Sequence, residues 1–297
     1  MPLSQPNSPL LVAPATGLEE RLVLSGDEVG RWRNAGGPPT PRVLAGKARE
    51  HALRMVHRAK ASHIGAALSM VDILAVLYAD VMNVWPAEPE WPDRDRLIVS
   101  KGHGAVGLYA VLGELGFFPK EEFETYGQDG ARLMGHVSHK VPGVELSTGS
   151  LGHGLPVACG LALGLPEVRT FCVLGDGELN EGSNWEAAMF AAHHRLGNLT
   201  AIIDHNKIQS LGRVEEVMSL GSIRDKFAAF GWYAIDIDGH DHGALRQAFS
   251  EISDRPTAIV AHTVKGKGVD FMEDQLAWHY KSPNDAQLEE ALRQVAA

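Results

Sequence analysis

The chain has 297 residues, 44% hydrophobic and 22% charged, with a formal net charge of −10. That length allows one large domain or two modest ones with a real core, and the acidic balance excludes a protein that grips nucleic acid or an anionic membrane with its whole surface. The two cysteines, Cys159 and Cys172, cannot form a disulfide framework and read as reduced core residues. No Cys/His cluster suggests zinc, no apolar run approaches the ~20 residues of a membrane span, and no basic segment precedes the short stretch Leu10–Ala15, so no secretory leader is read and the expected location is cytoplasmic.

Residues 1–41 are rich in Pro and Gly and lack periodicity, which reads as an N-terminal extension, with a short turn opening at Asp27-Glu28-Val29. Residues 42–297 form the expected domain. There, Val43–Lys60 reads as a helix, and Ile73, Leu74, Leu77 and Val81 make a helical stripe within Ser69–Met82. Arg96–Ser100 is a short buried strand and Gly104–Leu115 a helix. Pro156–Gly164 is a small-residue helix, Thr170–Leu174 a strand, Ser183–Leu196 a helix and Leu199–Ile203 a strand. Helix and strand then alternate through Ser222–Phe230, Tyr233–Ile237, Gly243–Ile252 and Thr257–His262, with a terminal helix within Tyr280–Ala297. This alternation predicts an α/β fold, three layers with a mostly parallel sheet flanked by helices.

One segment carries a chemical signal. A buried strand ends in Gly175-Asp176-Gly177, a helix follows, and the next strand ends in Asp204-His205-Asn206. A right-handed crossover brings Asp176 and Asn206 to the same edge of a parallel sheet, where such sheets bind ligands. Both offer hard oxygen ligands, which suit Mg²⁺ or Ca²⁺ rather than zinc. Two protein side chains leave positions for water and phosphate oxygens, and Gly177 lets a ligand approach the backbone N–H. Gly-Asp-Gly by itself is an ordinary turn; Asn206 at the end of the following strand favours a metal-assisted diphosphate site. The chain has no P-loop, no complete dinucleotide fingerprint, no Gly-x-Ser-x-Gly elbow and no His-Glu-x-x-His.

These residues resemble the thiamine diphosphate motif, and the string GDGELNEGSNWEAAMFAAHHRLGNLTAIIDHNKIQSLG closely resembles its transketolase version. Other blocks fall in the transketolase family's order: Ser62-His63-Ile64-Gly65, Ser100-Lys-Gly-His103-Gly, Gly135-His136, Ser147-Thr-Gly149-Ser-Leu151-Gly-His153-Gly, and Val264-Lys-Gly-Lys-Gly-Val269 with Trp278-His279. The resemblance spans roughly residues 43–283. It implies that Asp176, Asn206 and the carbonyl of Ile208 bind the metal, and that Gly177 lends its backbone to the diphosphate. It implies that His63, His103 and His279 line the diphosphate and the reactive ring, and that His136 contacts the donor sugar. Gly149 and Leu151 would border the aminopyrimidine, with Ser150, Gly175 and Glu178 also counted to the cofactor site. Glu181 matches an acidic position at the family's subunit contact. His153 and His205 depart from the family's usual residues.

A full transketolase has three domains, and this chain resembles only the first. The glutamate that protonates the aminopyrimidine sits in the second, and Tyr280–Ala297 is too short to supply it. The resemblance therefore implies the N-terminal subunit of a split enzyme, completed by a separate C-terminal transketolase subunit in an α₂β₂ assembly. With thiamine diphosphate and Mg²⁺ (Ca²⁺ as a substitute), it would move a two-carbon ketol unit from a ketose phosphate to an aldose, binding neither nucleic acid nor membrane. The alternatives are a subunit of another thiamine diphosphate enzyme (carboligase, decarboxylase or oxo-acid dehydrogenase) or a regulatory subunit that keeps the fold.

Overall fold

The computed structural model describes residues 37–251 and 253–296. The expected turn at Asp27-Glu28-Val29, most of the 1–41 extension, Ile252 and Ala297 lie outside them. Five strands form one parallel sheet: β1 (Arg96–Val99), β2 (Thr170–Gly175), β3 (Leu199–His205), β4 (Tyr233–Asp238) and β5 (Thr257–His262), in the order β1-β2-β3-β5-β4. Strand side chains alternate between two cores, as the period of two requires. Phe171, Val173 and Ile202 enter one; Cys172, Leu174, Ala201 and Ile203 enter the other.

The first core is covered by α1 (Pro41–Ala59), α2 (Ile64–Val76), α3 (Ala105–Leu115) and a C-terminal helix at Asp285–Val295. The second is covered by α4 (Gly154–Gly164), α5 (Gly182–His193) and a helix at Ile223–Ala229. The three-layer expectation holds. Beyond it are a one-turn helix at Val214–Met218, six residues of 3₁₀ turn at Lys120–Thr125, and a shorter helix His242–Ser250 where Gly243–Ile252 was expected. Asp241 caps that helix, accepting from the N–H groups of Gly243 and Ala244.

The second expected helix begins earlier than Ser69. α2 starts at Ile64, behind a left-handed residue, His63 (φ 73°), and continues as a π turn over Leu77–Val81. This also corrects the expectation about apolar runs. Ile64–Val81 is 18 residues with a mean hydropathy of 1.8, long and apolar enough by composition to cross a bilayer, and 89% of it is buried inside the protein. It is covered by α1, α3 and the helix His242–Ser250, with Asp72 buried among its apolar residues and Asp80 exposed near its end.

Candidate active site

The predicted metal pair meets at the carboxyl edge of the sheet. β2 and β3 are in register with Gly175 beside Asp204, so Asp176 and Asn206 leave adjacent strands within one residue of the same level. Asp176 caps a 3₁₀ turn, Gly177–Asn180. Its Oδ1 accepts the N–H of Gly177 at 2.7 Å and its Oδ2 that of Lys207 at 2.6 Å. Burial pushes its pKa up to about 6, against these two hydrogen bonds. The side-chain oxygen of Asn206 accepts the N–H of Ile208 at 3.2 Å.

The oxygen set fits a hard cation that is shared with a ligand. Asp176 contributes a buried carboxylate whose ionised form is under-compensated, Asn206 an amide oxygen, and Ile208 a carbonyl that accepts a cationic N–H from Lys265 at 3.0 Å. Among the described residues no three His, Cys, Asp or Glu side chains gather to hold a metal by themselves. An ion at Asp176 needs further oxygens from its ligand, as a diphosphate supplies.

The four predicted histidines converge. The ring of His63 lies 5.5 Å from His103, 5.6 Å from His136 and 5.1 Å from His279, and His103 lies 5.8 Å from His279. They come from four separate segments: the start of α2, the turn after β1, the loop after α3, and a 3₁₀ turn at Leu276–His279. Burial, then neighbouring cationic groups, lowers His63 to about 4 and His279 to about 3; His103 falls well below its usual value for the same reasons. All three are neutral at pH 7, each with one N–H and one lone pair. Lys265 donates to Nδ1 of His279 at 2.8 Å, so His279 carries its proton on Nε2.

The glycine-rich loop is held against the same edge. Gly102 lies so close to it that a Cβ there would sit 2.3 Å from the carbonyl oxygen of Thr148. Gly149 and Ser150 are exposed beyond that contact, with the Gly149 Cα facing the ring of His136. Glu178 anchors the loop from below. It is 1% exposed, and its carboxylate accepts from Ser100 Oγ, from the N–H of Gly152 at 2.9 Å and from the N–H of Gly175 at 3.1 Å. It ties β1, the loop and β2 together with both oxygens.

Sequence reasoning passed over a buried charge cluster beneath the site. Asp204, fully buried, accepts from Lys101, Thr263 and Ser69 (2.6 Å), and Lys101 also donates to the carbonyl of Ala66 at 3.0 Å. Lys265 is 1% exposed, and burial with Lys101 nearby lowers it to about 8. Both lysines stand inside quoted motifs, and a lysine amid glycines at a strand end is the signal that could have marked them. Tyr280 was also missed: its ring is exposed at the edge of the cluster, 4.7 Å from His279 and 6.2 Å from His63. The two departures lie outside the cluster's ring contacts. His153 precedes α4 and is exposed, while His205 packs 5.0 Å from His262 with its Nδ1 buried and unpartnered among the described residues.

Comparison with known proteins decides the family. The family described as "Transketolase, thiamine diphosphate binding domain" matches residues 42–295. The chain belongs to the transketolase family. It is 43% identical over 257 residues to an apulose-4-phosphate transketolase subunit of Phocaeicola vulgatus, covering 84% of this chain and 92% of that one. It is 40% identical to the 6-deoxy-6-sulfo-D-fructose transketolase subunit SqwG of Clostridium sp., covering 78% and 87%. Among solved structures, the transketolase of Campylobacter jejuni superposes with a TM-score of 0.80 at 31% identity, over 86% of this chain and 43% of that one. The chain thus spans about two-fifths of the full-length transketolase and nearly all of the two subunit proteins. It is a transketolase-type enzyme component comprising the thiamine diphosphate-binding part of the family.

Proposed function

We propose that this chain is the N-terminal subunit of a two-chain transketolase, working with a separate C-terminal subunit in an α₂β₂ assembly on a ketose phosphate donor and an aldose acceptor. The convergence of His63, His103, His136 and His279, joined through Lys265 to the Ile208 carbonyl in the loop that follows Asn206, is the observation that carries it. Asp176, Asn206 and the carbonyl of Ile208 would hold Mg²⁺, with the Gly177 backbone toward the diphosphate. When bound, thiamine diphosphate supplies the carbon nucleophile that cleaves the ketose beside its carbonyl.

The chain's own residues then have definite work. His63, His103 and His279, neutral at pH 7, can each take a proton from one hydroxyl or give one to another as the sugar's oxygens change character. The Nε2–H of His279 is its donor, because Nδ1 is engaged by Lys265. His136 is the exposed member of the four, suited to the sugar's hydroxyls. Glu178 and Gly102 hold the Gly149–Leu151 loop where the aminopyrimidine would lie.

Two features support a partner chain. The glutamate that the family uses at the aminopyrimidine belongs to a domain this chain does not match. Apolar side chains also stand exposed on the second layer, Val157 and Leu163 on α4 and Met189 and Phe190 on α5, the helix that Glu181 precedes. The buried free thiols Cys159 and Cys172 agree with work in the cytoplasm.

The test is calorimetric titration of thiamine diphosphate with Mg²⁺ into the chain, alone and mixed with the candidate C-terminal subunit. Tight binding in the mixture and weak binding alone is the expected result. Tight binding by the chain alone would restrict the partner to substrate contacts and the glutamate. No binding in either case would overturn the thiamine reading.

A further inference from the structure

Asp72 belongs to none of the motifs above, yet its carboxylate is held by three side chains, Arg49, His240 and His242. It lies on α2, 6% exposed. Arg49 of α1 donates to both of its oxygens, Nη1 to Oδ1 at 3.2 Å and Nη2 to Oδ2 at 2.5 Å. His242 Nε2 lies 2.9 Å from Oδ1 and His240 Nδ1 2.8 Å from Oδ2. A buried Asp–Arg pair is already neutral and bidentate. The two histidines call for another reason.

For His240 and Arg49 the reason lies on the far side of each. His240 Nε2 accepts the backbone N–H of Val264 at 2.9 Å. A ring nitrogen that accepts cannot carry a proton, so His240 is neutral with its proton on Nδ1, held there by Asp72. Arg49 Nε donates to the carbonyl of Lys267 at 3.1 Å. One carboxylate thus grips the chain at residues 264 and 267. Between the grips, the N–H of Gly266 donates to the carbonyl of Gly65 at 2.9 Å, and a Cβ at Gly266 would lie 2.3 Å from the carbonyl oxygen of Met272. Lys265 lies between these fixed points, and its ammonium arrives at Ile208 and His279.

We infer that Asp72 is a positioning residue for the cofactor site: through His240 and Arg49 it clamps residues 264–267 and aims Lys265 at the Ile208 carbonyl and the His279 ring. The inference rests on the cofactor reading above. It adds that one carboxylate, by fixing the tautomer of His240, sets the metal loop and a member of the histidine cluster together.

The test uses the full chain labelled with ¹⁵N, with its partner subunit present for binding. Ring nitrogen shifts of His240 are expected to report Nδ1–H and a bare Nε2; the opposite tautomer in the wild type would overturn the clamp outright. Asp72→Asn is expected to release that tautomer and to weaken the binding of thiamine diphosphate with Mg²⁺ on the order of tenfold. Leu245→Ala, a cavity in the helix that follows His242, is expected to lower the melting temperature without changing that affinity. Should Asp72→Asn fail to fold, His240→Phe carries the same affinity test. Variant affinity within about twofold of the wild type would overturn the inference alone. No binding by the wild type would overturn the cofactor reading, and the inference with it.

Discussion

The backbone N–H of His63 donates to the carbonyl oxygen of His279 across 2.8 Å. One histidine precedes α2 and the other closes a 3₁₀ turn late in the chain, so the hydrogen bond ties two distant segments together at the site. His63 takes a left-handed conformation to make this approach, which sets its ring 5.1 Å from that of its partner.

Crowded histidines make stability depend on pH. His63 falls from 6.5 to about 4 and His279 to about 3, burial being the main cause. A depressed histidine contributes stability that is full above pH 6.5 and is lost as pH falls toward the folded value. Asp176, raised to about 6, opposes this between its unfolded value near 3.8 and 6. Denaturant midpoints at pH 7 and pH 5 are expected to show a loss at pH 5. In His63→Gln that loss should shrink by about 1 kcal/mol, after discounting for the ring's partial exposure. An unchanged pH difference in the variant would remove His63 as a contributor.

Asp176→Ala is expected to abolish metal-dependent binding of thiamine diphosphate while leaving far-UV circular dichroism unchanged. The carboxylate is buried at a cost, as its raised pKa reports, so its removal does not destabilise the fold through lost packing. The hydrogen bonds to Gly177 and Lys207 are the interactions forfeited. Magnesium-dependent affinity at the wild-type level would remove Asp176 from the metal site.

Lys101→Met is expected to destabilise by about 3–5 kcal/mol, because it leaves Asp204 ionised and fully buried with neutral partners alone, the hydroxyls of Ser69 and Thr263 and the amide of Asn206. Denaturant unfolding measures it. The double variant Lys101→Met with Asp204→Asn should recover part of the loss, since no uncompensated charge then remains.

Gly102→Ala tests the close approach of the loop. Its Cβ would lie 2.3 Å from the Thr148 carbonyl, and backbone must move to admit it. The expected result is a loss of about 1–3 kcal/mol in stability with weaker cofactor binding, since the displaced segment leads into Gly149–Leu151. Gly160→Ala is the control: nothing lies within 4 Å of its added Cβ.

The layers and the order of strand and helix were legible in the sequence, as were the motifs that the fold brings together. Strands with period two and helices with period 3.6 are local properties, and the motifs around His63, His103, Asp176 and Asn206 are contiguous strings. What stayed hidden was what each side chain would meet. Ile64–Val81 is apolar enough by composition to cross a bilayer, and only its packing against α1, α3 and the helix His242–Ser250 marks it as a core helix. Glu178 sits inside the diphosphate motif, but the folded chain gives its carboxylate to Ser100, Gly152 and Gly175. Lys265, Asp204 and Asp72 gain their roles from contacts between segments far apart in the chain. A buried charge is tolerated only where such partners converge, and that convergence exists only in the folded molecule.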